Sequence, residues 1–276
     1  MKGRHWVRRP SGLWTPEGIY TPTRFLTGNS LRRLGMNRTY VGVSSEAGDG
    51  VGVKGGAPAG VAQVGVATNA VNTVDPVLNV VTASRTLGSG SNRALIAVIS
   101  YYHGSGTAVV SSVKFDSGGA NEKSFTQVTG SPHVSEYGDQ FVGMWYAVAP
   151  ASGASGTITV VISLDVDFAA VSVTEWTGVN QTTPVDGYAE AIGSGTAISV
   201  TATTETGAVV VDVVNPAYTT GLTETIGAAQ SEQYKLVVSG STLLSSTQAG
   251  SAGGAMTWTQ STGRQWVGCA ASINPI

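Results

Sequence analysis

The stretch Arg93-Ala94-Leu95-Ile96-Ala97-Val98-Ile99-Ser100-Tyr101-Tyr102 decides the fold. From Ala94 to Ile99 every side chain is apolar, and β-branched residues are frequent. A strand with one wet face would alternate. An unbroken apolar run fits a strand covered on both faces, at the centre of a sheet. Outward from it, further candidate strands recur at the spacing of about 8–12 residues expected of all-β folds. They fall at 77–83, 108–115, 124–129, 140–148, 156–164 and 168–176, then at 197–203, 208–214, 223–228, 232–240, 254–260 and 265–273. Some alternate, as in Thr157-Ile158-Thr159-Val160-Val161-Ile162. Turn residues stand between them, as in Asp116-Ser117-Gly118-Gly119 and Gly193-Ser194-Gly195.

Composition agrees. Of 276 residues 37 are glycine, and only 12% are charged, about half the usual share. Such a mixture suits short strands and tight turns and starves helices of Leu, Glu, Lys and Arg. A faint internal echo is visible. Residues 80–100 read as strand, polar turn and buried strand, and so do residues 198–214. The segments 170–178 and 267–273 are also alike, which hints at two similar halves, as in a double-layer jelly roll. The expected fold is all-β: a single large β-sandwich of jelly-roll type over 77–276, preceded by an extended N-terminal arm (1–40) and a Gly/Ala/Val-rich linker (41–76).

The arm carries the charge asymmetry. Residues 1–40 hold eight basic residues against Glu17 alone, whereas the rest of the chain holds seven basic and sixteen acidic residues. A split of this size marks an arm with its own partner. Pro10, Pro16 and Pro22 oppose a helix or a central strand there. Arg4, Trp6, Arg8, Arg9, Trp14, Arg24, Arg32, Arg33 and Arg38 are the expected partner-binding residues. Arginine forks would grip carboxylates and the tryptophans would anchor in pockets. Nucleic-acid arms carry denser basic runs without interspersed Pro and Trp, so a protein partner is favoured over nucleic acid. Residues 41–76 read as a linker or as extended strands laid along a partner, and the alternation of Val61-Ala62-Gln63-Val64-Gly65-Val66 favours strands. The charged N-terminus lacks the apolar core of a signal peptide, and no run of about 18 apolar residues exists to span a membrane.

Chemistry-bearing motifs are weak. Gly50-Val51-Gly52-Val53-Lys54-Gly55 fits GxGxxG, but Gly56-Ala57-Pro58-Ala59-Gly60 follows, which cannot open the helix a dinucleotide site needs. His5, His103 and His133 have no metal-ligand spacing, and His103 and His133 read as solvated loop histidines. Asp165 and Asp167 point the same way if extended and are the residues that would hold Ca²⁺, although a polar turn between strands looks the same. The lone Cys269 sits in the apolar run Trp266–Ala271 and reads as inert core. Trp145 and Trp176 likewise read as core, while an exposed row drawn from Tyr101, Tyr102, Tyr146, Tyr188 and Tyr218 would point to sugar binding. No cofactor and no catalytic residue is expected.

The pattern Asn92-Arg93-Ala94-Leu95-Ile96-Ala97-Val98, then Val113-Lys114-Phe115 with a Gly-Gly turn, continues with Gly143-Met144-Trp145-Tyr146-Ala147-Val148-Ala149-Pro150 and Gly156-Thr157-Ile158-Thr159-Val160. It closes with Trp176-Thr177-Gly178-Val179-Asn180-Gln181-Thr182-Thr183-Pro184 and Gln265-Trp266-Val267-Gly268-Cys269-Ala270-Ala271-Ser272-Ile273. This pattern resembles a β-sandwich domain frequent in virion structural proteins of tailed bacteriophages. The resemblance covers residues 77–276 and brings no catalytic motif. It implies a non-enzymatic virion protein, foremost a capsid decoration or cement protein on the outer surface of the head, anchored by its arm. The alternative is a tail or fibre protein that binds host-surface glycans. Implied partners are other virion proteins, the capsid shell or neighbouring copies in a homo-oligomer such as a trimer, with no membrane.

Overall fold

The computed structural model describes residues 5–8, 14–17 and 60–276, apart from 74–76, 83, 104–107, 136–137, 218–222, 239–240 and 251–253. The chain divides into two units, Met1–Gly56 and Ala57–Ile276. In the first, strands β1 (His5–Arg8) and β2 (Trp14–Glu17) pair antiparallel. Pro16 is tolerated in this ribbon because both strands are edges.

In the second unit the strands begin with β3 (Ala62–Gln63), β4 (Thr68–Asn72), β5 (Val77–Val81), β6 (Arg85–Thr86) and β7 (Ala94–Tyr102). There follow β8 (Val110–Phe115), β9 (Lys123–Ser124), β10 (Thr126–Gln127), β11 (His133–Val134) and β12 (Gln140–Val148). Next come β13 (Ser155–Gly156), β14 (Ile158–Val166) and β15 (Phe168–Thr177). The chain ends with β16 (Val185–Thr201), β17 (Val209–Pro216), β18 (Glu224–Ile226), β19 (Ser231–Val238), β20 (Ser241–Ala249) and β21 (Ala255–Ile273). The fold is an all-β sandwich, as the sequence indicates.

The apolar run Ala94–Ile99 lies in β7, which is flanked by β12 and β15 in the middle of its sheet. Its side chains divide between two cores. Leu95, Ala97, Ile99 and Tyr101 pack with Phe115, Ile158, Val160, Val171 and Val173. Ala94, Ile96 and Val98 pack on the other face with Val211, Val213, Leu243, Val267 and Cys269. Alternation is absent because neither face meets water.

The order of strands is that of a jelly roll, an antiparallel ribbon rolled on itself. Its paired lengths are β4 with β15, β5 with β14, β7 with β12 and β8 with β9, in the sheets β4-β15-β7-β12 and β5-β14-β8-β9. The same plan is then repeated. Residues 185–195 of β16 pair with 264–273 of β21, and residues 197–201 pair with 255–259. Between these lengths the register shifts, with residues 260–263 of β21 lying between the two paired stretches. Two strands of the first roll thus correspond to one bent strand of the second: β4 and β5 to β16, β14 and β15 to β21. In the same way β17 stands for β7, β20 for β12 and β18 for β8. The echoing segments 80–100 and 198–214 occupy equivalent places, as do 170–178 and 267–273.

The second roll closes over its own core of Ile198, Val200, Met256 and Trp258 against Val210, Val214, Leu244 and Trp266. The two rolls therefore stack, sheet β12-β7-β15 against sheet β20-β17-β21, and share the seam around Val98 and Val213. Both sheets are covered on each face, which explains why so little of the chain is charged. Residues 62–72, read as linker or as strands laid on a partner, run along β15 of the same chain and supply its outer edge with hydrogen bonds. Amide to amide, Gln63 and Gln233 exchange hydrogen bonds of 2.7 and 3.1 Å between β3 and β19.

Candidate functional site

Besides the ion pairs Lys114–Glu122 and Lys235–Glu224, three groupings of ionisable side chains stand out among the described residues, two buried in the rolls and one beside a cleft. The first is centred on Glu175, in β15. A lone acid in an apolar strand must be paired to be buried. Arg93 Nη1 lies 3.2 Å from Glu175 Oε1 and Arg85 Nη2 lies 3.3 Å from Oε2. The Gly88 N–H donates to the same carboxylate at 3.1 Å. Arg93 also donates to the carbonyls of Gly88 and Pro150, and Arg85 to that of Val173. Burial pulls the Arg85 guanidinium below its ordinary value, against the opposing pull of Glu175. Arg93 and Glu175 flank the apolar runs of β7 and β15, so this network clamps loop 87–93 and the turn at Pro150 onto the sheet.

The second set is centred on Asp212, in β17, fully buried inside the second roll. It accepts from Ser246 N–H at 2.5 Å, Ser246 Oγ at 3.0 Å and Trp258 Nε1 at 2.8 Å. Burial pushes its carboxyl up to about 7, and the hydrogen bonds from Trp258 and Ser246 oppose that rise. Its three donors all come from the strands that close the roll, which marks a structural role. Cys269 lies fully buried in the seam, where burial drives its thiol well above the ordinary range, so it is a packing residue.

The third set is His133, Glu190 and Tyr188, of which Tyr188 lines a cleft of about 360 Å³ between strands of the two rolls. One wall is residues 126–129 and the other residues 185–188, with Tyr146 contributed by the first roll and Tyr188 by the second. His133 Nδ1 stands 3.0 Å from Glu190 Oε2, and Tyr188 Oη donates to the same oxygen at 3.3 Å. Burial, then the nearby Cys269 and Glu190, raises the Tyr188 phenol far above its ordinary value. Gly130 lies under the Tyr188 ring: a Cβ there would come within 2.6 Å of Cε1, and φ is +95°. Only glycine leaves room for that contact. His133 is thus not the solvated loop histidine the sequence suggested. Its partner is 57 positions away, on another sheet, so no local signal announces it.

The other expected residues are placed as follows. In the ribbon of the first unit Trp6 stands opposite Pro16 and Arg8 opposite Trp14. Arg4, Arg9, Arg24, Arg32, Arg33 and Arg38 lie outside the described residues. Asp165 is exposed near the end of β14, and Asp167, also exposed, is the single residue between β14 and β15. The chain bends at Asp167, and the buried Val166 separates the two acids. Among the described residues no three His, Cys, Asp or Glu side chains gather as a metal site would require. Trp145 and Trp176 are core residues. Tyr101 is buried too, its ring stacked on Phe141 at 4.6 Å between centroids and its hydroxyl donating to Ala108 O. Tyr218 is outside the described residues.

No protein-family model matches the chain, and no curated protein matches its sequence.

Proposed function

We propose that this chain is a non-enzymatic structural protein of a bacteriophage virion, foremost a decoration or cement protein on the outside of the head. One observation carries the reading: the two units differ in charge, Met1–Gly56 holding nine basic and three acidic residues and Ala57–Ile276 six basic and fourteen acidic. Within the first unit the excess is concentrated in the first 40 residues, where Glu17 is the single acid. A cationic arm and an acidic body on each copy are complementary between neighbours, which favours arm-to-body contacts in an assembly. The jelly roll supports the same reading, because it is a recurrent building unit of viral shells. Burial of Arg93, Glu175 and Asp212 within the rolls fits a body selected for rigidity.

The test is deletion of residues 1–40. The truncated protein should keep its β-sheet circular dichroism and cooperative melting but lose incorporation into particles. Normal occupancy of the truncated body on particles would sink the anchoring role of the arm.

A further inference from the structure

We propose that the cleft between Tyr146 and Tyr188 is a binding site for a neutral saccharide. Three features of the cleft point to that ligand class, and they stand whatever assembly the protein joins. The first is the pair of tyrosine rings. Each is half-buried, and each comes from a different roll. Rings that are fixed at one side and open at the other offer an apolar face to the C–H surface of a pyranose.

The second is the lining. Thr126, Gln127, Thr129 and Asp186 are all exposed on the two walls. Gln127 Nε2 donates one of its two hydrogens to the Ser131 carbonyl, which orients the amide, and its oxygen can accept. With the Asp186 carboxylate and the threonine hydroxyls, the walls are rich in acceptors, which matches the many O–H donors of a sugar. The third is charge. Asp186 stands on one wall, and neither Lys nor Arg is among the residues that line the cleft. An anionic sugar would be repelled, so a neutral one is selected.

The site is also preorganised. Glu190 holds the Tyr188 hydroxyl, and the bare backbone of Gly130 seats its ring. Less ordering is then needed on binding. The volume is at the low end for small-ligand sites and suits one or two sugar rings.

The test titrates the full chain with the methyl glycosides of glucose, galactose, mannose and N-acetylglucosamine, and separately with sialic acid, followed by NMR chemical shifts. At least one neutral glycoside should bind saturably, and sialic acid should not. Tyr146→Ala should weaken binding about tenfold, the loss of one stacked ring. Because that variant also touches the seam, Thr129→Trp serves as the second: it fills the cleft from an exposed position and should abolish binding without changing the melting temperature. Absence of saturable binding by every neutral glycoside overturns the proposal. So does binding that Thr129→Trp leaves intact, and a preference for sialic acid overturns the charge argument.

Discussion

Asp212 makes the stability of the fold fall as pH rises. Its carboxyl is pushed up to about 7 in the folded chain, while the unfolded chain keeps the ordinary value of 3.8. Between those values the folded state holds a proton that the unfolded state has released. The stability this group contributes is therefore full below about pH 4, falls as pH rises to about 7 and then levels off. A shift of this size corresponds to roughly 4 kcal/mol at most. Urea midpoints at pH 5 and pH 8 should differ more in the wild type than in Asp212→Asn, and equal differences would contradict the assignment. Glu175 gives a second prediction. Arg93→Met leaves its buried carboxylate with Arg85 and one N–H, which should cost about 3–5 kcal/mol by chemical denaturation. A loss under about 1 kcal/mol, the range of exposed pairs, would show that the network does not clamp the loop.

Among the elements, the bent strands β16 and β21 hold the second roll together, and the packing at their near halves is tight. A Cβ on Gly193 would lie 2.6 Å from Cζ2 of Trp266 in the paired strand. Gly193→Ala should therefore cost about 1–3 kcal/mol, seen as a lowered thermal midpoint. An unchanged midpoint would mean the indole can move aside. The strands themselves were legible in the sequence because each is a local apolar pattern: Ala94–Ile99 announced a doubly covered strand, and 80–100 echoed 198–214. What the sequence did not expose was pairing. A continuous strand in one roll is two strands in the other, so the repeat has no constant period. Pairing of Gln63 with Gln233, or of His133 with Glu190, depends on how the rolls stack and leaves no local trace. Asp212 and Glu175 did leave one, as single acids inside apolar strands, but their donors lie far along the chain.

For the whole molecule, the seam is the decisive feature. Val98 and Met144 of the first roll pack in one cluster with Val213, Leu243 and Val267 of the second, and each fully buried aliphatic side chain contributes about 1.5–3 kcal/mol. Neither roll can unfold without exposing the other's inner sheet. Residues 57–276 should therefore melt in one transition with equal calorimetric and van't Hoff enthalpies, and two resolved transitions would contradict the shared core. The seam also separates the two functional proposals: a stacked, rigid body suits a shell component, while the cleft at its edge is open to a ligand in any setting. The most direct test of the structural role is a cryo-EM map of the particle that carries this chain. The account predicts two stacked rolls on the outside of the head, with residues 1–40 running across neighbouring shell subunits. Finding the chain at the tail tip, or missing from the particle, would contradict it.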